Sequence, residues 1–312
     1  MGIRSKILGM GNLIISPDYR FQIQANMGLK GNMLGDEFLK RMYRIRMGRE
    51  LNLENPVLYT EKLQWLKLHD HRPEYTRMVD KYEVKDYVAQ KIGPQYVIPL
   101  LGVWDRVEDI DFDSLPERFV LKTTHDSGGI VVCRDKNRLD IPAVRKKLKY
   151  FWKRDYYSRN REWPYKNVKH RIIAEAYMED SRLGELRDYK FFTFGGEPKV
   201  LYIAQGRGSS GETVADFFDM EFNHLPFTID HDMAPVPPEK PENFELMKQL
   251  AAKLSQGTPQ LRVDFYEVDG KVYFGEMTFF HCTGMASFHP QEWDRIFGDW
   301  VTLPPEKTEE AP

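Results

Sequence analysis

The sequence predicts an α+β fold built on antiparallel sheets. Three observations predict it. Short alternating runs of apolar and polar residues are interspersed with helix-length apolar stripes. Many of the runs are joined by tight glycine turns. The clearest case is LRVDFYEVDGKVYFGEMTFF (Leu261–Phe280), which alternates, breaks at Asp269-Gly270 and alternates again.

The elements follow in order. Phe38, Leu39, Met42, Tyr43 and Ile45 mark one amphipathic helix, and Asn55-Pro56 is a break,. Residues 60–69 read as helix, with Leu63, Leu66 and Trp65 inward. Asp80 can cap a helix running to about Ile92, which Gly93-Pro94 ends,. A strand is expected at Tyr96–Leu101. Strands at Arg118–Lys122 and Ile130–Cys133 flank a polar glycine loop. Residues 142–154 place Val144, Leu148, Phe151 and Trp152 on one helical face. Strands at 171–177, 188–194 and 198–204 come next, the last two joined at Gly195-Gly196-Glu197-Pro198. Phe244, Met247, Leu250, Ala251 and Leu254 form a helical stripe before the Leu261–Phe280 hairpin.

With 312 residues, 41% hydrophobic and 29% charged, the chain can bury a core as two lobes or as one large domain,. A formal net charge of −2 gives no global basic field, so nucleic acid is not an expected partner,. An anionic ligand must be held by a local cluster. Cys133 and Cys282 read as buried or free thiols in a reducing cytosol, which makes the expected location cytoplasmic,. No run of 18 apolar residues could span a membrane, and MGIRSKILGMGNLIIS is a poor secretory signal,. The tail LPPEKTEEAP, rich in Pro and Glu, is expected to fray,.

Two regions carry candidate chemistry. In FVLKTTHDSGGIVVCRDK, Ser127, Gly128 and Gly129 could aim N–H groups at a phosphate, with Lys122 beside them,. A plain glycine hairpin turn reads the same way, and no G-x-x-x-x-G-K-[ST] motif is present. Asp188 and Lys190 share a strand face that could equally be a solvated edge. Lys81 opposes the dipole of the helix it precedes. In the hairpin, Asp264 and Glu276 could hold Mg²⁺ with phosphate oxygens, provided they share a face. A three-residue loop, Val268-Asp269-Gly270, would pair Glu267 with Lys271 and set Glu276 opposite Arg262, diagonal to Asp264. That loop is the expectation. A two-residue Asp269-Gly270 loop would pair Val268 with Lys271 and Asp264 with Gly275, and Glu276 would then face away from Asp264. The same residues could also be a polar outer face with an Arg262–Glu276 pair.

FVLKTTHDSGG, REWPYKNVKHRIIAEAYMED, LRDYKFFTFGGEPKV, the hairpin and PQEWDRIFGDWVTLP together resemble the TupA-like ATP-grasp enzymes of teichuronopeptide biosynthesis, over roughly residues 60–303. The resemblance implies an ATP-grasp fold, two lobes with antiparallel sheets clamping ATP; residues 1–50 carry no such resemblance, and the helical stripe read there precedes it. The expected division is a helical extension (1–59), a preceding region (60–116), the ATP-grasp lobes (117–303) and a flexible tail (304–312). The resemblance implies that Lys81 and Lys122 touch the α- and β-phosphates and that Ser127, Gly128 and Gly129 close over the triphosphate. Glu175, Tyr177 and Met178 would read adenine, Lys190 would approach the γ-phosphate, and Asp188 would lie near the nucleotide. Asp264 and Glu276 would hold one or two Mg²⁺, with Arg262 facing the transferred phosphoryl group. Thr278 stands where many relatives have Asn, which leaves a second metal open. His281, Thr283 and Gly284 could line the acceptor side, or be core and loop.

The implied reaction is ATP-dependent carboxylate–amine ligation through an acylphosphate. The implied substrates are a uronic acid carboxyl of a capsular or other cell-surface polysaccharide and an amine or amino acid. The rivals are a kinase of the same fold and a glycosyltransferase, for which Asp109-Ile-Asp111 and Asp111-Phe-Asp113 supply D-x-D patterns.

Overall fold

Local caps and apolar stripes set the helices of the computed structural model, which describes residues 16–182, 186–206 and 213–305. The N-terminal stretch through Ile15 and residues 306–312 of the expected tail lie outside the described residues. Ser16 caps α1 (Pro17–Asn26) by accepting from the Tyr19 N–H,. Helix α2 (Gly35–Met47) buries the expected stripe of Phe38, Leu39, Met42 and Tyr43. Helices α3 (Tyr59–His69), α4 (Pro73–Val79) and α5 (Glu83–Lys91) follow. Asp80 accepts from the Tyr82 N–H at 2.8 Å, so the expected cap is in place. Helix α4 carries no long apolar stripe, and sequence reading did not find it.

The first sheet has the order β1–β4–β2–β3, all antiparallel. Its strands are β1 (Leu100–Trp104), β2 (Phe119–Thr123), β3 (Ile130–Cys133) and β4 (Ile172–Ala176). The strand expected at Tyr96–Leu101 begins later than the sequence suggested. The N–H groups of Tyr96 and Val97 bond back to Gly93 and Pro94 in a 3₁₀ turn and cannot join a ladder,. Helix α6 (Ile141–Trp152) covers this sheet through Val144 and Leu148, against Phe119, Leu121 and Ile172, and the short α7 (Tyr156–Asn160) follows it.

The second sheet has the order β10–β9–β5–β6–β7. Its strands are β5 (Asp188–Phe194), β6 (Glu197–Gln205), β7 (Val214–Phe218), β9 (Gln260–Val268) and β10 (Lys271–Thr278). Strand β5 lies in the middle and is buried along its length, so Asp188 and Lys190 are not on a solvated edge. Leu261, Val263 and Phe265 on β9 share the main core with Phe244, Met247, Ala251 and Leu254 of α8 (Phe244–Leu254). A short pair, β8 (Thr228–Ile229) with β11 (Phe288–His289), and helix α9 (Glu292–Trp300) complete the large lobe.

The N-terminal helices are tied into this body. Phe21, Phe38 and Tyr43 pack with Met285, and Asp294 of α9 accepts from Arg49 at 2.6 Å and from the Thr60 N–H at 2.9 Å. Among the described residues no helix is long and apolar enough to cross a membrane.

Candidate functional site

The Leu261–Phe280 hairpin meets its condition by a different route from the expected one. Lys271 pairs with Val268, so the turn is the two-residue Asp269-Gly270 and not Val268-Asp269-Gly270. Both residues have positive φ, 47° and 75°, as a type I′ turn requires,. Ser181 steadies Asp269 through its N–H at 3.0 Å. A regular ladder from this turn would face Glu276 away from Asp264. A bulge at Gly275 supplies the odd residue instead: Phe274 pairs with Phe265, and Glu276 then pairs with Asp264, not with Arg262,. A Cβ at Gly275 would lie 3.1 Å from the Asp264 carbonyl and 3.2 Å from the Tyr266 ring. The small residue is what lets the strand bulge there.

That shift assembles one polar face across three strands. Lys190 on β5 lies opposite Asp264 on β9, which lies opposite Glu276 on β10. Lys190 donates to Asp264 at 2.5 Å and sits 3.2 Å from Asp188. The Arg262 guanidinium forks onto Asp264 through Nε and Nη2, both at 2.7 Å,. Nη2 also reaches Glu276 at 2.8 Å and Thr278 at 3.0 Å. Burial opposes the Arg262 charge, but Asp264 and Glu276 hold its pKa above the ordinary arginine range,. Glu276 is the exposed member of the group, with 47% of its side chain accessible.

A cleft beside this face is lined by Met78, Val79, Val84, Ile98, Phe274 and Met277 on its apolar side. Its polar side carries Lys81, Lys85, Lys122, Glu175 and Glu276. Glu175 bridges Lys85 and Lys122, each at 2.6 Å. Burial would raise the Glu175 pKa, yet the two lysines bring it below the usual carboxylate range. Burial lowers the Lys81 pKa, and its ammonium donates to the Asp126 carbonyl at 2.6 Å. Three lysines against Glu175 and Glu276 leave the cleft with an excess of positive charge, which suits an anionic ligand,. Sequence reading missed Lys85, which α5 carries four residues after Lys81.

The loop at Ser127, Gly128 and Gly129 sits between β2 and β3 as expected. Gly128 has φ 103°, and a Cβ at Gly129 would fall 1.9 Å from the Thr123 hydroxyl, so neither position admits a larger residue. The Thr123 hydroxyl and the Asp126 carboxylate close the loop from within. His125 at its base is 1% exposed and stacks on His170 at 3.5 Å. Neither ring nitrogen has a hydrogen-bond partner of good geometry, and the nearby Phe151 and Arg154 main chain favours the charged ring by less than burial opposes it. Burial, with His170 and Lys81 nearby, drops the His125 pKa to about 3. Below about pH 6.5, the ordinary imidazole value, the unfolded chain binds a proton that the folded chain refuses. Stability is therefore expected to fall as pH drops from there towards about 3. Melting temperatures of His125→Phe between pH 7 and pH 4 should decline less than those of the wild type.

The remaining candidates do not all converge. The Glu175 side chain lies in the cleft, while Tyr177 and Met178 line a separate hollow with Arg118, Glu179 and Asp269. The Tyr177 hydroxyl accepts from Arg134 at 3.0 Å, and Arg118 stacks on its ring. His281 reaches the polar face, where its Nδ1 accepts from Arg262 at 2.7 Å. Thr283 is held from behind by Lys67. The D-x-D pattern is a surface turn: Asp111 accepts from the N–H groups of Asp113 and Ser114, and Phe112 is buried.

Asp264, Glu276 and Thr278 offer oxygen donors only, which suits Mg²⁺. Among the described residues no cluster of three or more His, Cys, Asp or Glu could hold a metal unaided. The donor set therefore fits a cation shared with phosphate oxygens and water. Cys133 is a buried free thiol and Cys282 an exposed one.

The sequence matches the TupA-like ATPgrasp family over residues 61–302. No curated protein matches it. Similar solved structures include a D-alanine–D-alanine ligase from Bacillus anthracis complexed with ATP, at 14% identity and TM-score 0.39, over 65% of this chain and 53% of that one. A D-cycloserine synthetase is 16% identical with TM-score 0.40, over 72% and 69%. A phosphoribosylamine–glycine ligase from Thermotoga maritima is 13% identical with TM-score 0.41, over 66% and 48%. The chain thus spans about half the length of the first and the third of these.

Proposed function

The chain belongs to the TupA-like ATP-grasp family, and we propose that it is a cytoplasmic ATP-dependent carboxylate–amine ligase forming an amide through an acylphosphate. The substrates in this reading are a uronic acid carboxyl of a capsular or other cell-surface polysaccharide and an amine or amino acid. The observation that carries it is the single face on which Lys190, Arg262, Asp264, Glu276 and Thr278 meet, beside a cleft lined by Lys81, Lys85 and Lys122.

In this reading the apolar side of the cleft takes the adenine, and the three lysines take the α- and β-phosphates. Glu175 holds Lys85 and Lys122 together until the triphosphate competes for them. Lys190 and Arg262 align the γ-phosphate and offset the charge that spreads during transfer. Asp264, Glu276 and Thr278 would hold Mg²⁺, which supplies charge neutralisation at the phosphate oxygens when bound. The substrate carboxylate oxygen attacks the γ-phosphorus, ADP leaves, and the amine then displaces phosphate from the acyl carbon.

A pocket of about 530 Å³ is lined by Thr228, Asp230, His231, Asp232, Ser287 and His289 among others. Its described lining holds two carboxylates and no lysine or arginine, which favours a cationic amine over a second carboxylate,. Asp230 interacts with the Cys282 thiol, next to His281. Mass spectrometry of products from ATP, a uronic acid glycoside and pooled amino acids tests the reading. The expected result is ADP and an amide. Phosphorylated glycoside without amide would indicate the kinase, and stabilisation by a UDP-sugar but not by Mg-ATP would indicate the glycosyltransferase.

A further inference from the structure

The backbone just beyond β10 is unusual, and its position explains why. Cys282 and Thr283 both lie in the left-handed region, at φ 48° and 55°, followed by Gly284 at 67°. Consecutive non-glycine residues there are strained and persist only when their surroundings over-determine them. Here helix α3 does so. Lys67, 2% exposed, donates to the Thr283 carbonyl at 2.7 Å and to its hydroxyl at 2.9 Å. Gln64, fully buried, donates to the Gly284 carbonyl at 2.8 Å. A Cβ at Gly284 would lie 2.6 Å from the Gln64 amide nitrogen and 2.8 Å from Leu63.

The product of this pinned turn is the placement of His281. Its ring stands edge-on to Phe192 of β5 at 5.3 Å and near Tyr202 of β6 at 5.8 Å. Its Nδ1 is 2.7 Å from Nη1 of Arg262, and its Nε2 is 3.5 Å from the Cys282 sulfur. Arginine has donors only, so Nδ1 must accept, and the imidazole must be neutral with its proton on Nε2. Nε and Nη2 of Arg262 are turned the other way, to Asp264, Glu276 and Thr278. Asp264 and Glu276 thus grip one side of the guanidinium, and His281 grips the other.

We propose that His281 is a positioning residue: as the neutral Nε2–H tautomer it holds the Nη1 end of Arg262 on the acceptor side, and protonation releases it. This rests on the reading of Arg262 as the group facing the transferred phosphoryl. A protonated ring would turn an N–H towards a guanidinium N–H and set two cations in contact. Among the described residues His281 faces Phe192 from β5, Arg262 from β9, Tyr202 from β6 and Cys282 from its own turn, with Asp230 beyond Cys282. The Arg262 cation lies against Nδ1, so a proton there would bring two positive charges together,.

Two measurements on the full chain test this. Long-range ¹H–¹⁵N correlation spectra of histidine-labelled protein report the tautomer of His281, assigned by its loss in His281→Asn. The expected result is Nε2–H in the wild type, with the share of that tautomer falling in Arg262→Met, where Nδ1 loses its donor,. An Nδ1–H tautomer overturns the proposal, and this arm decides it whether or not ATP is turned over. The second measurement is kcat for ADP formation against pH. His281→Asn keeps an acceptor near the Nδ1 position but does not titrate. It should keep kcat within about threefold and lose the acid limb, while His281→Phe should lose about 10²-fold in kcat with KM for ATP little changed. A His281→Phe enzyme with wild-type kcat and an intact acid limb overturns the proposal. Absence of ADP formation by the wild type, together with the Nε2–H tautomer, would remove the ligase reading and leave the Arg262–His281 contact standing.

Discussion

Asp264→Asn is expected to abolish ATP turnover, with a loss of about 10³-fold or more, and to destabilise the fold as well. Asp264 takes both prongs of Arg262 and the Lys190 ammonium, and all three side chains are buried. Removing its charge leaves two buried cations short of a counter-charge, a change that costs about 3 kcal/mol. Denaturant unfolding and ADP formation measure the two effects separately. Glu276→Ala divides them further. Glu276 is half exposed, so its loss should leave the unfolding free energy within about 0.5 kcal/mol of wild type,. Turnover should still disappear. An active Glu276→Ala enzyme would move the proposed metal and phosphate centre elsewhere.

Gly275→Val should be nearly as damaging, although residue 275 bears no chemistry. A Cβ there meets the Asp264 carbonyl and the Tyr266 ring, and a branched side chain adds to the crowding. Overpacking of this kind costs about 1–3 kcal/mol. Relieving it by flattening the bulge slides Glu276 off Asp264, so turnover should fall with stability. Gly270→Ala is the contrast. Its φ of 75° makes alanine strained by about 1 kcal/mol, but nothing lies within 4 Å and the bulge beyond it is untouched,. Its turnover should match the wild type. If Gly270→Ala loses turnover and Gly275→Val keeps it, the turn and not the bulge sets the register.

This pair of glycines shows where sequence reading stopped. Alternation revealed both strands, and the need for Asp264 and Glu276 to share a face was a sound constraint. Sequence alone points to the turn for the missing residue of parity, because Asp-Gly also suits a bulged three-residue loop. Gly275 looked like one more strand position, and the close approach of the Asp264 carbonyl is visible only in three dimensions. Lys190 and Asp188 were found by pattern, but their burial in a central strand depends on β9 and β6 flanking it. Glu175 was placed in the right strand, and its side chain bridging Lys85 and Lys122 follows from the pairing of β4 with β2. The strained turn after β10 gave no local signal, because Cys282 and Thr283 carry no turn preference and the helix that pins them lies over 200 positions earlier.

The central claim is that the bulged hairpin brings Asp264 and Glu276 together as a site for Mg²⁺ on a nucleotide triphosphate. Calorimetric titration of ATP with and without Mg²⁺, into wild type and Glu276→Ala, tests it most directly. Mg²⁺ is predicted to tighten ATP binding to the wild type by about tenfold or more and to have little effect on the variant. The same Mg²⁺ enhancement in both proteins would contradict the claim.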